Sequence, residues 1–442
     1  MDSLTMLMWV YRIAADLAGP LVVLGTTLKG RFGGRWQDRL GLVSAPAPRA
    51  GQTRLWFHGA SVGEAKSAAA VIRALLAQAD EKGLDVEVYF SVGTPAGLEA
   101  AENAFSEETR VTVFGAPLDF WGSPARALEA LKPRALVILE TELWPNLIEG
   151  THKSGAKLVL AAARLTSRSF RRYKIVGKFM AGLLGRFDLI AAMGETERDL
   201  YAALGAPPDR LTISGNPKFD RLLADAAAPA FQEKTRQWTR KIWGDEPRGP
   251  LIVAGSTHPG EEELIVRAFE AIISQYPAAT LLLAPRHLGR ISELMSFLNN
   301  RNLPVSLTSG SAPLIRSGGG PRVLLADQMG QLSSFYSLAN VSIVGGSLIE
   351  GLMGHNPLEP AATSTPMLFG PHMASFALEA RGLLAAGGAV ETSAERLASD
   401  IEVWLKNPAE ATRSARAGHD YLAGRPPAAP ALASAILNLI TA

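Results

Sequence analysis

The chain contains no cysteine. This excludes a disulfide framework, a thiolate zinc site and an iron–sulfur cluster, and it fits a reducing compartment. Histidine is scarce, 7 in 442 residues, and none stands in an HExxH or other compact ligand spacing, so no metal is expected. Charge of one sign is also lacking. Lysine and arginine number 44 against 42 acids, a formal net charge of +2, which gives no support to a nucleic-acid partner. What remains is a chain that is 47% hydrophobic and 19% charged, the balance of a globular or membrane-associated protein. Its length exceeds what one core usually serves, so two domains are expected.

Residues 4–28 are mostly apolar, long enough to reach across a bilayer if helical. Arg12 and Asp16 interrupt the run, and their spacing would let them pair on one helix face. Gly19-Pro20 is expected to break the pattern. The flanks do not resemble a cleaved signal peptide. A membrane span, a helix in the membrane interface and an ordinary buried helix all remain open. The basic residues that follow (Lys29, Arg31, Arg35, Arg39) would favour an anionic cytoplasmic membrane surface.

Beyond a Pro-containing stretch at 44–52, strand and helix patterns alternate. Strands are expected at 55–58, 86–92, 111–114, 135–139, 157–160, 189–192 and 211–213, with helices between. A second series of strands follows at 251–254, 280–284, 305–307, 323–325, 341–344 and 367–369. Such alternation implies parallel sheets with right-handed crossovers. The expected organisation is a membrane-associating segment at 1–43, a Rossmann-like domain at 53–220, a linker with one charged helix at 221–249, a second Rossmann-like domain at 250–425, and a C-terminal helix at 426–442. Residues 309–320 read as a polar, glycine-rich loop. Ligands of doubly wound sheets sit at the carboxyl ends of the strands, here expected between the two halves.

The candidate chemistry falls in the turns at those ends. Gly345-Gly346-Ser347, continuing to His355-Asn356-Pro357-Leu358-Glu359, follows an apolar strand. It reads as a glycine turn close to a phosphate or sugar, then a helix start, with Glu359 able to accept ribose hydroxyls. His58-Gly59-Ala60-Ser61-Val62-Gly63-Glu64 brings an acid to a helix start. Glu64 is a candidate general base, and a helix cap made by Ser61 or Glu64 is the competing reading. A helix N-terminus lowers a carboxylate's pKa, whereas a base for a sugar hydroxyl gains from a raised one. Glu140-Thr141-Glu142-Leu143-Trp144-Pro145-Asn146 offers two acids beyond a strand, one to counter positive charge on a sugar ring and one structural. Lys218, in Gly215-Asn216-Pro217-Lys218, could face an anionic donor. Gly255-Ser256-Thr257-His258 precedes Glu261, Glu262 and Glu263. Its amides suit a phosphate, but the three acids oppose one. Arg286, at a strand end after Pro285, suits a phosphate through paired hydrogen bonds. His58, His258, His287, His355 and His372 all lie in turns of this kind.

In this order the motifs resemble the 3-deoxy-D-manno-octulosonic acid (Kdo) transferases, glycosyltransferases of the GT-B class with two Rossmann-like domains. The resemblance spans the apolar N-terminus, Ala60 to Glu64, Glu140 to Asn146, Ala163-Arg164-Leu165-Thr166, and Gly215 to Asp220. It goes on through Ser256 to His258, Pro285 to His287, Met329-Gly330, Gly345 to Ser347 and His355 to Glu359. It implies that Glu64 is the general base and that Glu140 and Lys218 stabilise the transition state. It implies a site for the CMP part of a CMP-Kdo donor made by Pro285, Arg286, Met329, Gly330, Gln331, Asn356, Pro357, Leu358 and Glu359. The acceptor is then a lipid A precursor at the cytoplasmic face of the inner membrane. No cofactor is implied beyond the donor, and no metal is needed if Arg286, Lys218 and helix dipoles hold the leaving CMP. Departures from the family pattern are Gln331 in place of an acid, the less glycine-rich Gly351-Leu352-Met353-Gly354, and Pro117-Leu118-Asp119. The alternative activity on the same fold is epimerisation of a nucleotide sugar.

Overall fold

The structure, a computed structural model, describes residues 3–28, 35–315 and 322–441. Lys29, Arg31 and the latter part of the 309–320 loop lie outside the described residues. The chain divides into two compact units, Met1–Arg221 with Pro426–Ala442, and Leu222–Arg425.

The first unit holds strands β1 (Thr53–Gly59), β2 (Val86–Val92), β3 (Val111–Gly115), β4 (Ala135–Leu139), β5 (Lys157–Ala163), β6 (Leu189–Ala192) and β7 (Leu211–Ile213). They form one parallel sheet in the order β3-β2-β1-β4-β5-β6-β7. The second unit holds β8 (Leu251–Thr257), β9 (Thr280–Pro285), β10 (Val305–Leu307), β11 (Val323–Leu325), β12 (Val341–Val344), β13 (Met367–Phe369) and β14 (Val390–Glu391). Its sheet is also parallel, ordered β10-β11-β9-β8-β12-β13-β14. Apolar residues on both faces of the strands make this possible, because helices cover each side. Along β4 every residue from Ala135 to Leu139 is buried. The two sheets are the doubly wound α/β architecture expected. Strand order reverses between β1 and β4 and between β8 and β12, the places where such sheets open a crevice at their carboxyl edge. The two-residue β14 is too short to leave a pattern in the sequence.

The N-terminal helix, Ser3–Leu28, runs unbroken through Pro20, against the expected break. Proline cannot donate to the carbonyl four residues back, which is that of Asp16. The indole N–H of Trp121 supplies the missing bond to that carbonyl at 3.1 Å. Gly19 lets the ring in, since a Cβ there would stand 2.9 Å from Trp121. Arg12 and Asp16 do not need each other: Arg12 donates to Asn146 Oδ1 at 3.1 Å, and the Asp16 carboxylate accepts from Trp121 N at 2.7 Å. Leu4 packs at Gly182, Met8 enters the core beneath the first sheet, and Val23 packs with Leu118 and Phe120. The helix is therefore docked along one stripe at both ends. Its other faces expose Met6, Trp9, Ile13, Leu17, Leu21 and Leu24.

Two segments carry more than the sequence suggested. In the stretch read as a linker, helix Pro229–Trp243 buries Trp238, Ile242 and Trp243 against Leu251, Val253, Leu282 and Leu324 of the second sheet. The last helix, Ala428–Thr441, returns to the first unit. It buries Leu432, Ala433, Ile436 and Leu437 in the cluster formed by helix Val62–Glu81 and the first sheet. The Asp220 carboxylate caps it, accepting from Ala429 N at 2.6 Å.

Candidate active site

In the first unit the expected residues converge at the carboxyl edge of the sheet. β1 leads into helix Val62–Glu81, whose N-cap is Ser61. The Ser61 hydroxyl accepts from Glu64 N at 3.3 Å and donates to Glu64 Oε1 at 2.8 Å, while Ala60 N donates to Glu64 Oε2 at 2.6 Å. This is a capping box in which the acid reaches one residue further back than usual. The carboxylate is nearly covered, and its residue is 9% exposed.

Glu140 follows β4, on a backbone with φ of +54°. A non-glycine residue in that region costs about 1 kcal/mol. The turn aims the carboxylate at Lys218, whose Nζ lies 2.6 Å from Oε1. Lys218 sits in the first turn of helix Pro217–Ala227, with its backbone N–H held by Asn216 Oδ1 at 3.0 Å. A Cβ at Gly63 would lie 3.9 Å from Lys218 Nζ, which places the lysine beside the turn that carries Glu64. Glu142 completes the group. Trp144 Nε1 donates to its Oε2 at 2.6 Å, and Trp144 stands edge-on to His58 at 5.4 Å. Burial raises the Glu142 pKa, and the nearby charges of Glu64 and Glu140 add to the rise. Three carboxylates and one lysine therefore share this edge.

In the sequence Asp119 stands out only as part of a departure from the family pattern. Its carboxylate accepts from Tyr11 Oη at 2.9 Å, Asn146 N at 3.0 Å and Leu147 N at 2.8 Å. It thereby caps helix Pro145–Ser154, whose own N-cap residue Trp144 supplies no side-chain bond. The same bonds tie the N-terminal helix to the turn that carries Glu140. Arg39, expected to help face a membrane, is instead 2% exposed. It donates to the carbonyls of Val92, Gly93 and Ala116. The sequence could not separate it from the surface basic residues around it.

In the second unit, the turn after β12 loops back on itself. Gly354 N donates to Gly346 O at 2.7 Å and His355 N to Gly345 O at 3.1 Å. Gly346 has φ of +70°, and a Cβ there would press on the His355 ring at 2.9 Å. The amides of Gly346, Ser347 and Leu348 are not open to a ligand. Glu261, with no solvent exposure, accepts from Gly346 N at 2.7 Å and from Ser347 N and Leu348 N at 3.0 Å. It also accepts from His258 N at 3.1 Å. Glu262 is buried too, bonded by Thr257 Oγ1 and Arg290. The phosphate cradles read from Gly345-Gly346-Ser347 and from the turn after β8 are thus filled by the chain's own carboxylate, which satisfies the buried donors without a ligand.

The other residues expected there form a row along the same edge. Arg286 is exposed at the end of β9, and its backbone N–H donates to Thr257 O at 3.0 Å. His258 and His355 meet end to end, their rings nearly coplanar, with centroids 4.9 Å apart and an Nε2–Nε2 distance of 2.7 Å. His287 stands edge-on to His258 at 5.8 Å. Asn356 Oδ1 accepts from Leu358 N at 3.1 Å, and Leu358 opens the short helix Leu358–Ala362, one residue after Pro357. Glu359 accepts from Ser333 Oγ at 3.2 Å. Ser333 lies on helix Leu332–Tyr336, directly after Met329-Gly330-Gln331, so Glu359 and that turn are neighbours. Met329 is 60% exposed. Gly330 O accepts from Lys234 Nζ at 2.9 Å, and Gln331 Oε1 accepts from Trp238 Nε1 at 3.1 Å. Among the described residues no group of three or more His, Asp or Glu is arranged to hold a metal ion. In the sequence the three histidines are visible only as residues of strand-end turns, His258 and His355 being 97 positions apart.

Residues 34–221 match the family model described as 3-Deoxy-D-manno-octulosonic-acid transferase (kdotransferase). The chain is 31% identical over 398 residues to the 3-deoxy-D-manno-octulosonic acid transferase of Haemophilus influenzae, over 89% of this chain and 88% of that protein. It is 30% identical over 413 residues to the transferase of the same name from Bordetella pertussis, over 90% of each. Among solved structures, UDP-GlcNAc 2-epimerase from Neisseria meningitidis matches with a TM-score of 0.60 and 14% identity, over 88% of this chain and 99% of that one. At that identity the likeness is one of fold.

Proposed function

The chain belongs to the Kdo transferase family of glycosyltransferases, and on that footing we propose that it moves Kdo from CMP-Kdo to a hydroxyl of a lipid A precursor in lipopolysaccharide synthesis. The observation that carries the reading is the grouping of Glu64 with the Glu140–Lys218 pair at one sheet edge, where the ion pair measures 2.6 Å. In this reaction Glu64 takes the proton of the acceptor hydroxyl. The Ser61 hydroxyl can rotate away from Oε1 and yield its place to the acceptor. The acceptor oxygen then attacks the anomeric carbon from the face opposite CMP, and the configuration inverts. Lys218 offsets negative charge on the Kdo carboxylate and the leaving phosphate. Glu140 keeps the lysine in place and faces the positive charge that develops on the sugar ring.

Pro285, Arg286, Met329, Gly330, Gln331, Asn356, Pro357, Leu358 and Glu359 hold the CMP moiety. Arg286 is the phosphate ligand among them. Glu359 exchanges its Ser333 and Asn356 partners for ribose hydroxyls.

The protein works at the cytoplasmic face of the inner membrane. The N-terminal helix, whose stretch Leu4–Gly25 is long and apolar enough to cross a bilayer, instead lies in the interface. A helix of that length docked on a folded unit at both ends has no free run through lipid, whereas its exposed apolar faces suit an interfacial position. Helix Ser167–Ile175, with Arg168, Arg171, Arg172 and Lys174, leads to Ile175 at 85% exposure and adds cations for anionic headgroups.

Incubation with CMP-Kdo and a lipid A precursor should add Kdo mass to the lipid, read by mass spectrometry. Glu64→Ala should bind CMP as before and lose transfer by a factor of about a hundred or more. Near-normal transfer by that variant would remove the role given to Glu64. Epimerised UDP-sugars with no lipid product would favour the alternative activity.

A further inference from the structure

The second unit has a cavity at the amino edge of its sheet, the end away from the strand-end turns described above. Pro250, Asn340 and Pro366 stand there, each one residue before β8, β12 or β13. Helices Leu397–Lys406 and Pro408–Ala423 contribute the facing wall. The cavity measures about 760 Å³, within the range of small-molecule sites. The seven residues of β8 set it roughly 20 Å from the opposite edge. We propose that it binds a small organic anion, a carboxylate or phosphate monoester carried on an apolar body.

The polar part of the wall offers donors and positive charge. Arg248 and Arg416 line the cavity, and no Asp or Glu does. A guanidinium stays charged at any working pH. Among the described residues neither arginine has a hydrogen-bond or carboxylate partner. Arg248 lies over the Trp243 ring, 5.7 Å from its centroid, which holds the cation at the wall. Trp243 and Trp404 also line the cavity, with only 3% and 5% of their surface exposed. An indole N–H can only donate. Neither of these two has an acceptor among the described residues, and neither nitrogen is sealed from open space. A side chain so covered opens only where it lines the cavity, so both N–H groups reach into it. Two cations and two free N–H groups, with no acid among them, suit an anion. Leu338, Leu405 and Pro408 add uncharged wall, which a bare inorganic ion would leave uncovered.

The cavity is preformed. Asn340 holds the first residue of β8 twice: its Oδ1 accepts from Leu251 N and its backbone N–H donates to Leu251 O, each at 2.8 Å. Gly249 has no room for a Cβ, which would stand 2.0 Å from Ala278 O. Binding therefore orders little backbone and loses little affinity to ordering.

The full chain, labelled with 5-fluorotryptophan and held in neutral detergent, tests this by fluorine NMR. Trp243→Phe and Trp404→Phe assign two of the eight tryptophan signals. Phenyl phosphate, benzoate, inorganic phosphate and benzyl alcohol are the probes. Both signals should move saturably with phenyl phosphate or benzoate, and whichever binds tighter identifies the anionic group. Inorganic phosphate and benzyl alcohol should each bind about tenfold more weakly or worse. Arg248→Gln combined with Arg416→Gln should weaken the tighter probe about tenfold or more and leave Kdo transfer unaltered. Free-protein signals at their usual positions show that this double variant is folded. Equal binding of benzyl alcohol would leave an apolar cavity only, and equal binding of inorganic phosphate a charged patch only; either overturns the proposal. So would anion shifts that survive in the double variant, or no shift with either organic anion. The readout does not involve the transfer reaction, so failure here is distinct from failure of that reading.

Discussion

His58, at the end of β1, has no solvent exposure, and its Nδ1 lies 2.9 Å from Ser91 Oγ. Burial pushes its pKa down to about 3, with Arg39 adding to the fall. Asp119 is pushed the other way, to about 6, by burial that outweighs its donated hydrogen bonds. The two act oppositely on stability. Between about pH 6.5 and 3 the unfolded chain protonates His58 and the native one does not, so His58 makes stability fall as pH falls. Between about pH 3.9 and 6 the native chain holds a proton on Asp119 that the unfolded chain has lost, so that contribution fades as pH rises. Near pH 5 each is worth up to about 1.4 kcal/mol per pH unit, with opposite sign. Relative to the unaltered protein, His58→Gln should therefore tilt stability upward towards acid, and Asp119→Asn should tilt it downward. Urea unfolding of both variants at pH 6 and pH 4.5 measures the tilts, and equal slopes in all three proteins would refute these assignments. The role of Glu64 belongs to the same scale. As a capping acid it would matter to the helix alone; as a base it must also matter to transfer with CMP binding intact.

Among the elements, the strands were legible because runs of apolar residues buried on both faces repeat at βα spacing. Val86–Val92, Ala135–Leu139 and Val341–Val344 have in the structure the ends their patterns imply. The N-terminal helix was legible as an apolar run but not as a continuous one, because its continuity past Pro20 depends on Trp121, 105 positions away from Asp16. Its interfacial placement has a direct test. The chain has no cysteine, so Thr5→Cys and Thr27→Cys each introduce a lone thiol. A membrane-impermeant maleimide should label both from the same face of oriented inner-membrane vesicles. Labelling from opposite faces would show a crossing helix. Replacing Trp121 by alanine should free the Asp16 carbonyl and make the helix fray or kink at Pro20, by about 1 kcal/mol or more, seen as faster amide exchange over 16–24.

At the scale of the whole molecule, the chain leaves the first unit after Arg221 and comes back to it at Pro426. Ending the chain at Arg425 would uncover the site of Leu432, Ile436, Leu437 and Ile440. Each side chain is worth about 1.5–3 kcal/mol of burial, so the loss rivals the roughly 5–15 kcal/mol that holds a typical domain together. Such a truncation should strip hydrogen-exchange protection from β1 to β7 and spare β8 to β14. Protection retained in the first sheet would mean that the helix is an accessory. No local pattern announces the return, since an Ala- and Leu-rich helix would serve either unit equally well.

Composition and periodicity by themselves determined the two parallel α/β halves, and motif order placed Glu64, Glu140 and Lys218 at strand ends, because strand burial and turn chemistry are local. Only the tertiary structure decided which of those turns are free to bind. The amides of Gly346, Ser347 and Leu348 looked like a phosphate cradle, and Glu261, 85 positions before Gly346, already fills it. Saturation of a hydrogen-bond donor is a through-space property, and so is the 2.7 Å meeting of His258 with His355, which no spacing along the chain could reveal.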